Sequence, residues 1–236
     1  MDERELSELN TQFEAVHPEV VLAWTWETFG PSAVVTSSFQ TQSVPLLHMM
    51  ANRTPDMPVL FLDTGFHFPE TLRYRDQIVT LLGLHVEVIG SEYDHDQFRR
   101  RHGELYRENP DLCCYTNKIE PLQQALAGKQ AWVSGIRHDQ TLTRRDSKIV
   151  SRHAPERLKI CPMLKWTRDD VQDYIHQYKL PRHPLTAKGY SSIGCFPCTR
   201  PVHDLGDERA GRWSDSQKTE CGLHLGSAWG ERKGND

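Results

Sequence analysis

The 236 residues are enough for one sizeable hydrophobic core and too few for two full domains joined by linkers. Hydrophobic residues make up 37% of the chain and charged residues 25%, which is typical of a soluble globular protein. The formal net charge of −4 excludes a global basic field that would recruit nucleic acid, but local clusters of Arg and Lys still allow a small anionic ligand.

The sequence also predicts the compartment. The acidic first residues lack the apolar stretch of a signal peptide, and no run approaches the ~18 apolar residues of a membrane helix. We therefore expect a cytoplasmic protein without membrane contact, in which thiols stay reduced. In that setting, six cysteines point to metal binding or catalysis before structural disulfides.

Helical and strand patterns alternate along the first two thirds of the chain. Two helices are predicted first, over about 3–15 and 18–29. Short apolar runs then predict four strands, at 32–36, 58–62, 84–89 and 131–135. Further helices are predicted at 43–51, 69–82, 110–126 and 167–178. Strand, helix and strand at regular spacing indicate right-handed βαβ units and a parallel sheet flanked by helices.

Regular patterns end after about residue 181, where Pro and Gly interrupt each periodic stretch. We expect a single α/β domain over 1–205, with a helical N-terminus over 1–30 and an irregular cysteine-bearing segment at its end. Residues 206–236 are polar and contain several glycines, which predicts a flexible C-terminal tail.

Turn residues at the ends of three predicted strands suggest a nucleotide site. Ligands of open α/β sheets bind outside the carboxyl ends of the strands. Any one of these turns is ordinary, but the three together favour a nucleotide. Gly-x-x-x-x-Gly-Lys is absent, which excludes a Walker-type ATPase. The turns are Ser37-Ser38-Phe39, Asp63-Thr64-Gly65 and Gly135-Ile136-Arg137.

Four cysteines form the most specific chemical pattern in the chain. Cys195 and Cys198 have the spacing of two ligands of one metal or cluster. The adjacent Cys113 and Cys114 cannot easily share one zinc ion, but they can reach two different irons of a cubane. The set matches the ligand number of a 4Fe–4S cluster. A redox disulfide and a zinc site completed by histidine stay open as alternatives.

The other two cysteines have different surroundings. Cys161 lies in an apolar run, and we expect a buried core thiol. Cys221 lies in polar tail sequence, where it is either inert or a nucleophile carried to a substrate by a moving arm. His224 is close enough in sequence to lower the thiol pKa or to contact a phosphate.

An anionic substrate would need several cations. Lys118 follows Cys114 by about one helical turn, so its ammonium can lie near both a cluster and a substrate anion. The i, i+3 spacing of Arg209 and Arg212 predicts that both lie on one helix face. Further candidates are Arg137 and Arg144.

Taken in order, these motifs resemble those of the assimilatory adenylyl-sulfate (APS) and phosphoadenylyl-sulfate (PAPS) reductases. The resemblance covers roughly residues 30–225 and is most specific in the four-cysteine set and the last motif. The motifs are Ser37-Ser38-Phe39, Leu62-Asp63-Thr64-Gly65, Cys113-Cys114, the stretch from Gly135 to Arg144, Cys195-x-x-Cys198 and Glu220-Cys221-Gly222-Leu223-His224.

The resemblance implies an adenine nucleotide α-hydrolase-like fold, a modified P-loop sheet that binds a nucleotide without cleaving a triphosphate. It implies that the strand-end motifs and the arginines contact substrate, and that Cys221, His224 and Lys118 are catalytic. The thiolate of Cys221 attacks the sulfur of the substrate, AMP leaves, and an S-sulfocysteine forms. Thioredoxin, or a glutaredoxin-like reductant, then releases sulfite. Relatives with four cluster cysteines mostly use APS, which the resemblance therefore favours here, in sulfate assimilation and cysteine biosynthesis.

Three other functions stay open at this point. Within the same chemistry, the chain is a PAPS reductase or uses both nucleotides. A PP-loop sulfur transferase would normally carry Ser-Gly-Gly-x-Asp-Ser, which is absent. An iron–sulfur redox sensor would give Cys221 no role. The sequence also leaves assembly into a homo-oligomer open.

Overall fold

The computed structural model describes residues 1–202, 207–214 and 218–224, which contain both helices and strands. The helices are α1 (Glu3–Phe13), α2 (Pro18–Phe29), α3 (Val44–Arg53), α4 (Pro69–Leu82), α5 (His95–His102), α6 (Leu105–Glu108), α7 (Pro110–Cys114), α8 (Glu120–Ala125) and α9 (Arg168–Gln177). The strands are β1 (Ala33–Thr36), β2 (Val59–Asp63), β3 (Val86–Gly90), β4 (Ala131–Ser134), β5 (Val150–Ala154) and β6 (Arg157–Ile160).

One sheet contains all six strands, in the order β3-β2-β1-β4-β6-β5. Strand β1 pairs in parallel with β2 and β4, and β4 pairs in parallel with β6. Strand β5 runs antiparallel to β6 at one edge. The predicted α/β class with a mainly parallel sheet is confirmed.

The sequence pattern does not predict the β5–β6 hairpin. Most of β5 is polar, and its central residues Ser151, Arg152 and His153 are partly or fully exposed. An edge strand of this kind lacks the apolar run that identifies the central strands. The hairpin ends next to Cys161, which is 1% exposed, as the sequence predicts.

The helix boundaries follow from local chemistry. Thr167 caps α9, because its hydroxyl accepts a hydrogen bond from the Asp170 N–H (3.2 Å) while the Asp170 carboxylate accepts one from the Thr167 N–H (2.6 Å). The helix predicted over 110–126 is present, but a π-helical turn at Tyr115–Ile119 separates α7 from α8. Helix α5 is not predicted, because all of its residues except Phe98 are polar and it buries only that phenylalanine.

The described chain divides into two compact units. The first comprises 1–61, 69–87 and 128–187, and the second comprises 62–68, 88–127 and the described residues from 188 onward. The predicted domain boundary at 205/206 lies outside the described residues and stays a prediction. Among the described residues, no helix combines the length and hydropathy that a membrane crossing requires.

A buried histidine organises polar contacts inside the first unit. His183 is 1% exposed, and its Nδ1 accepts a hydrogen bond from the Leu185 N–H (3.2 Å). Its Nε2 lies 3.0 Å from the Thr71 hydroxyl, and its ring packs edge-on against Tyr74 at 5.0 Å. A proton on Nδ1 would face the N–H of Leu185, so the fold favours the neutral ring. Burial accordingly lowers the pKa of His183 to about 4.

We expect this histidine to make the protein less stable in mild acid. The unfolded chain binds a proton near the ordinary histidine pKa of 6.5, whereas the folded chain binds it only near 4. Stability is therefore full above pH 6.5 and falls as the pH drops towards 4. Between pH 7 and pH 5 the free energy of unfolding should fall by about 2 kcal/mol from His183 alone.

Urea denaturation at pH 7 and pH 5 measures this loss, with His183→Asn as the variant that cannot be protonated. Asn keeps a donor and an acceptor in the same place, and the pH-dependent loss should shrink by about 2 kcal/mol. His153, whose pKa is also lowered to about 4 by burial, contributes equally to both proteins. The exposed His176→Asn serves as control. The same pH dependence in His183→Asn and wild type would refute the assignment.

Candidate active site and cysteine pocket

In the first unit, the loops after β1 and β4 begin side by side. Thr36, the last residue of β1, pairs with Ser134, the last residue of β4. Ser37 and Gly135 therefore start neighbouring loops at the carboxyl edge of the sheet, where nucleotides bind in folds of this class.

The loop after β1 has a constrained backbone. Phe39 adopts φ 49°, a left-handed conformation that is costly for a bulky residue. Its N–H donates to the Ser37 hydroxyl (3.1 Å), and its ring is fully buried against Phe61 at 5.7 Å. The side chain of Ile136 is likewise 4% exposed. The side chains of Phe39 and Ile136 pack in the core. Their backbone groups and the hydroxyls of Ser37 and Ser38 are therefore the parts of these loops that can contact a ligand.

The two arginines of the Gly135-to-Arg144 motif are held within the first unit. Arg137 is 1% exposed, and its guanidinium binds the carboxylate of Asp139 through Nε (2.9 Å) and Nη2 (3.3 Å). Arg144 is also buried and donates to Oε1 of Gln140, which in addition accepts the Arg137 N–H (3.1 Å). An anion that binds Arg137 therefore has to share it with Asp139.

In the second unit, the motif after β2 leads directly to a cysteine. The carboxylate of Asp63 accepts the Gly65 N–H (2.9 Å), and Gly65 adopts φ 70°, which suits glycine. The Thr64 hydroxyl accepts the Phe66 N–H (3.2 Å) and lies 3.3 Å from Sγ of Cys195. Thr64 therefore contacts a cysteine and also belongs to a motif that is predicted to bind substrate. Leu62, the first residue of that motif, is partly buried.

Cys113 and Cys114 are buried at the end of α7. Pro110 begins this helix, and the Asn109 side chain caps it by accepting the Leu112 N–H (2.9 Å). In the π-helical turn that follows, Nδ2 of Asn117 donates to the Cys113 carbonyl (3.1 Å) and lies 3.7 Å from its Sγ. Turns of this kind are frequent at functional sites.

Cys195 and Cys198 lie on a tight turn that a second segment braces. The Cys198 N–H donates to the Cys195 carbonyl (3.0 Å), and the Thr199 hydroxyl donates to the same oxygen (2.8 Å). Thr199 forms an antiparallel bridge with Arg212, and the Trp213 N–H donates to the Cys198 carbonyl (3.1 Å). Residues 209–213 therefore lie against the Cys-x-x-Cys turn.

The four cysteines line one small pocket. Lys118, Thr64 and Asn117 also line it, and Phe66, Phe98 and Leu105 pack around Cys113 and Cys195. Within the described residues, no three Cys, His, Asp or Glu side chains converge as a site for a single metal ion would require.

The pocket has marked electrostatics. Burial, reinforced by the neighbouring thiolates, raises the pKa of Cys113 to about 12 and that of Cys198 to about 11. Burial also raises the pKa of Cys114, against the opposing charge of Lys118. Burial alone would lower the pKa of Lys118, but the thiolates of Cys195, Cys114 and Cys221 raise it well above its ordinary value. Lys118 therefore stays cationic next to sulfur.

The segment 218–224 brings the sixth cysteine to the same unit. Cys221 is half-buried, and its neighbour Glu220 is 7% exposed and paired with Arg209 (Nη2 to Oε2 3.4 Å). Burial would raise the pKa of Cys221, but the charge of Lys118 and the N–H of Leu223 outweigh it and lower the pKa below the ordinary value. A lowered pKa favours the thiolate, which is the nucleophilic form of cysteine.

The expectation that Arg209 and Arg212 share one helix face is wrong. Residues 207–214 form turns, because Arg212 extends to bridge Thr199 while Trp213 adopts φ 50°. The Arg212 guanidinium lies over the Trp213 ring at 4.4 Å and packs against Gly194, where a Cβ atom would overlap it. Both arginines nevertheless lie near sulfur, one beside Glu220 and the other beside the Cys-x-x-Cys turn.

The sequence comparison identifies this combination of loops and cysteines. A family model described as "Phosphoadenosine phosphosulfate reductase domain" matches residues 32–201, which include the four pocket cysteines. The chain belongs to the phosphoadenosine phosphosulfate reductase family. The resemblance inferred from the motifs is thereby confirmed.

Curated relatives of this reductase family match most of the chain. A protein of Staphylococcus haemolyticus (strain JCSC1435) named "Adenosine 5'-phosphosulfate reductase" is 40% identical over 87% of this chain and 86% of its own length. A protein of Bacillus subtilis (strain 168) named "Adenosine 5'-phosphosulfate reductase 2" is 41% identical over 86% of this chain and 88% of its own length.

Solved structures share the reductase fold. The phosphoadenylyl-sulfate (PAPS) reductase from Candida auris, in a phosphate complex, superposes with a TM-score of 0.74 at 26% identity, covering 86% of this chain and 98% of that one. The Candida glabrata FMN adenylyltransferase has a TM-score of 0.59 at 15% identity, covering 86% of this chain and 71% of that one, which shows a common fold alone.

Sequence reasoning missed several contacts of the reductase site. Asp139 and Gln140 bind Arg137 and Arg144, and these contacts could have been predicted because the four residues lie close together in sequence. Asn117 follows Cys113 by four residues, which a helical reading would also have suggested. No local pattern points to the hydrogen bond from the Trp213 N–H to the Cys198 carbonyl, or to Lys218, whose partner Asp111 is distant in sequence.

Proposed function

We propose that this chain reduces adenosine 5'-phosphosulfate (APS) to sulfite and AMP in sulfate assimilation, on the route to cysteine. The observation that carries the proposal is the placement of Cys221, beside Lys118 and in the unit that holds the four pocket cysteines. Relatives at about 40% identity that are named adenosine 5'-phosphosulfate reductase support this substrate. The chain is an oxidoreductase, and six free thiols favour the reducing cytoplasm.

The proposed first step is attack by the Cys221 thiolate on the sulfur of APS. An S–S bond forms, the S–O bond to the phosphate breaks, and AMP leaves with the electron pair. Lys118 stays cationic and can offset the charge that develops on the leaving phosphate. The arginines near sulfur, Arg209 and Arg212, are proposed to bind the anionic groups. His224 is proposed to act next to the thiol.

The proposed second step regenerates the thiol. A thiol of a thioredoxin-type dithiol, or of a glutaredoxin-like protein, attacks Sγ of the S-sulfocysteine and releases sulfite. The second thiol of the dithiol then resolves the mixed disulfide. Sulfur falls from the sulfate to the sulfite oxidation state while the dithiol becomes a disulfide, so two electrons balance without another donor.

We infer that Cys113, Cys114, Cys195 and Cys198 hold a 4Fe–4S cluster. The fit rests on four thiols around one pocket, supplied by a helix end and a tight turn, with Thr64 and Asn117 placed to contact sulfur. When bound, the cluster would supply negative charge next to Lys118 and join the two segments. We propose that the two electrons come from the dithiol and not from the cluster. A cluster EPR or Mössbauer signal that cycles during a single turnover would contradict this proposal.

The nucleotide contacts remain proposals. In the first unit they are Ser37, Ser38, the Phe39 backbone, Gly135, Ile136, Arg137 and Arg144. In the second unit they are Leu62, Asp63, Thr64 and Gly65.

Intact mass spectrometry tests the substrate and the nucleophile together. We expect APS, added without a dithiol, to increase the mass of the chain by one sulfonate that maps to Cys221. PAPS is the second candidate, because the Candida auris neighbour is a PAPS reductase, and the same assay with PAPS should give little product. A strong preference for PAPS would overturn the choice of APS. An ATP-dependent sulfur transferase or a redox sensor predicts no sulfonate from either nucleotide.

A further inference from the structure

Two ion pairs hold the segment 218–224 on either side of Thr219. Glu220 pairs with Arg209, as described above. On the other side, Nζ of Lys218 contacts the carboxylate of Asp111 and lies 3.3 Å from the carbonyl oxygen of Pro110. The thiol of Cys221 follows directly, so its position depends on these two attachments.

The Lys218–Asp111 pair joins the segment to the helix that carries two of the pocket cysteines. Asp111 precedes Cys113 by two residues on α7. The Lys218 side chain is 8% exposed, with its ammonium 5.8 Å from the centre of the Trp213 ring, whereas Asp111 is 56% exposed. Lys218 is thus inserted into the unit, while its partner stays accessible to water.

This combination suits a contact that forms and breaks. A half-exposed ion pair changes an equilibrium by at most about fivefold, because water competes for the carboxylate. It is strong enough to favour one position of a short segment and weak enough to release it. A fully buried pair would be costly to break once formed.

We propose that the Lys218–Asp111 ion pair positions Cys221 by docking its segment on α7, and that breaking this pair exposes the thiol to the reducing partner. The proposal rests on the proposed function, which needs the thiol in two places. It has to lie inside the site for the attack on the substrate, and it has to be accessible when a dithiol protein removes the sulfonate. Lys218 and Asp111 are positioning residues that act through Cys221.

The first test measures how fast iodoacetamide alkylates Cys221, using peptide mass spectrometry on the cluster-containing protein without substrate. We expect Asp111→Asn to accelerate alkylation about fivefold. The conservative Asp111→Glu should remain near the wild-type rate. Glu108→Gln is the matched control, because it removes an exposed carboxylate only three residues away.

A second variant separates the ion pair from an effect of Asp111 on its own helix. Lys218→Met should accelerate alkylation at least as much, because it also removes the contact with the Pro110 carbonyl, and the double variant should be no faster than Lys218→Met alone. Salt should accelerate alkylation in the wild type, but much less in the variants, because screening weakens only an existing pair. Unchanged alkylation in both single variants would overturn the proposal, as would loss of the cluster absorption in Asp111→Asn.

A single-turnover experiment connects the ion pair to the reaction. With subsaturating APS and no dithiol, Asp111→Asn should form the S-sulfonate about fivefold more slowly than Glu108→Gln. If the wild type forms no sulfonate, the proposed function fails, while the alkylation rates still decide whether the ion pair positions Cys221.

Discussion

Replacing Cys221 by serine is expected to abolish reduction of APS while the proposed iron–sulfur cluster stays in place. A hydroxyl at this position is a far weaker nucleophile towards sulfur and is not ionised near neutral pH, whereas Lys118 and the Leu223 N–H favour the thiolate. We expect sulfite release to fall by at least about 10³-fold. The S-sulfonate should be undetectable by intact mass spectrometry.

The cluster provides the internal control for this variant. Cys221 is not one of the four cysteines that line the pocket, so Cys221→Ser should keep the brown cluster absorption and its full iron content. Cys161→Ala is the matched substitution, because it removes a buried cysteine of the other unit and should retain turnover. Substantial activity in Cys221→Ser would overturn the mechanism.

Replacing Cys195 by serine has the second large expected effect, loss of the cluster. Cys195 is 8% exposed, packs with Phe66 and Phe98, and lies 3.3 Å from the Thr64 hydroxyl. With three thiolates left, we expect iron to fall from about four atoms per chain to well below one. Metal binding contributes to folding, so the second unit should also lose stability, lowering its unfolding midpoint by about 5 °C or more.

Iron analysis, visible absorption and thermal unfolding measure these effects on the same sample. Cys161→Ala is again the control, because it should keep iron and colour. The alternative of a zinc site predicts colourless protein with zinc in both wild type and Cys161→Ala. Full iron content in Cys195→Ser would contradict the proposed ligand set.

The local sequence was sufficient for the order of the main elements. Apolar runs predicted β1, β2, β3 and β4, and the capping chemistry of Thr167 predicted the start of α9. These signals are short in range, because they depend on the side-chain period and on hydrogen bonds within a few residues. Where most residues of an element are polar, as in β5 and α5, the same signals fail.

The cysteine pattern and the final motif also identified the family before any contact was known. They could do so because ligand number and spacing are properties of the chain itself. They did not reveal that Arg137 is bound to Asp139, or that Arg209 lies on a turn and pairs with Glu220. The i, i+3 spacing suggested a helix there, but the antiparallel bridge to Thr199 extends the backbone instead.

The sequence by itself determined the α/β class and the family, and it indicated which thiols to propose as reactive or ligating. Only the tertiary structure decided which groups surround those thiols. Thr64 meets Cys195 across 131 residues, and Lys218 meets Asp111 across 107. Contacts at such separations produce no periodic pattern in the sequence, because they depend on how the sheet order and the turns bring distant segments together.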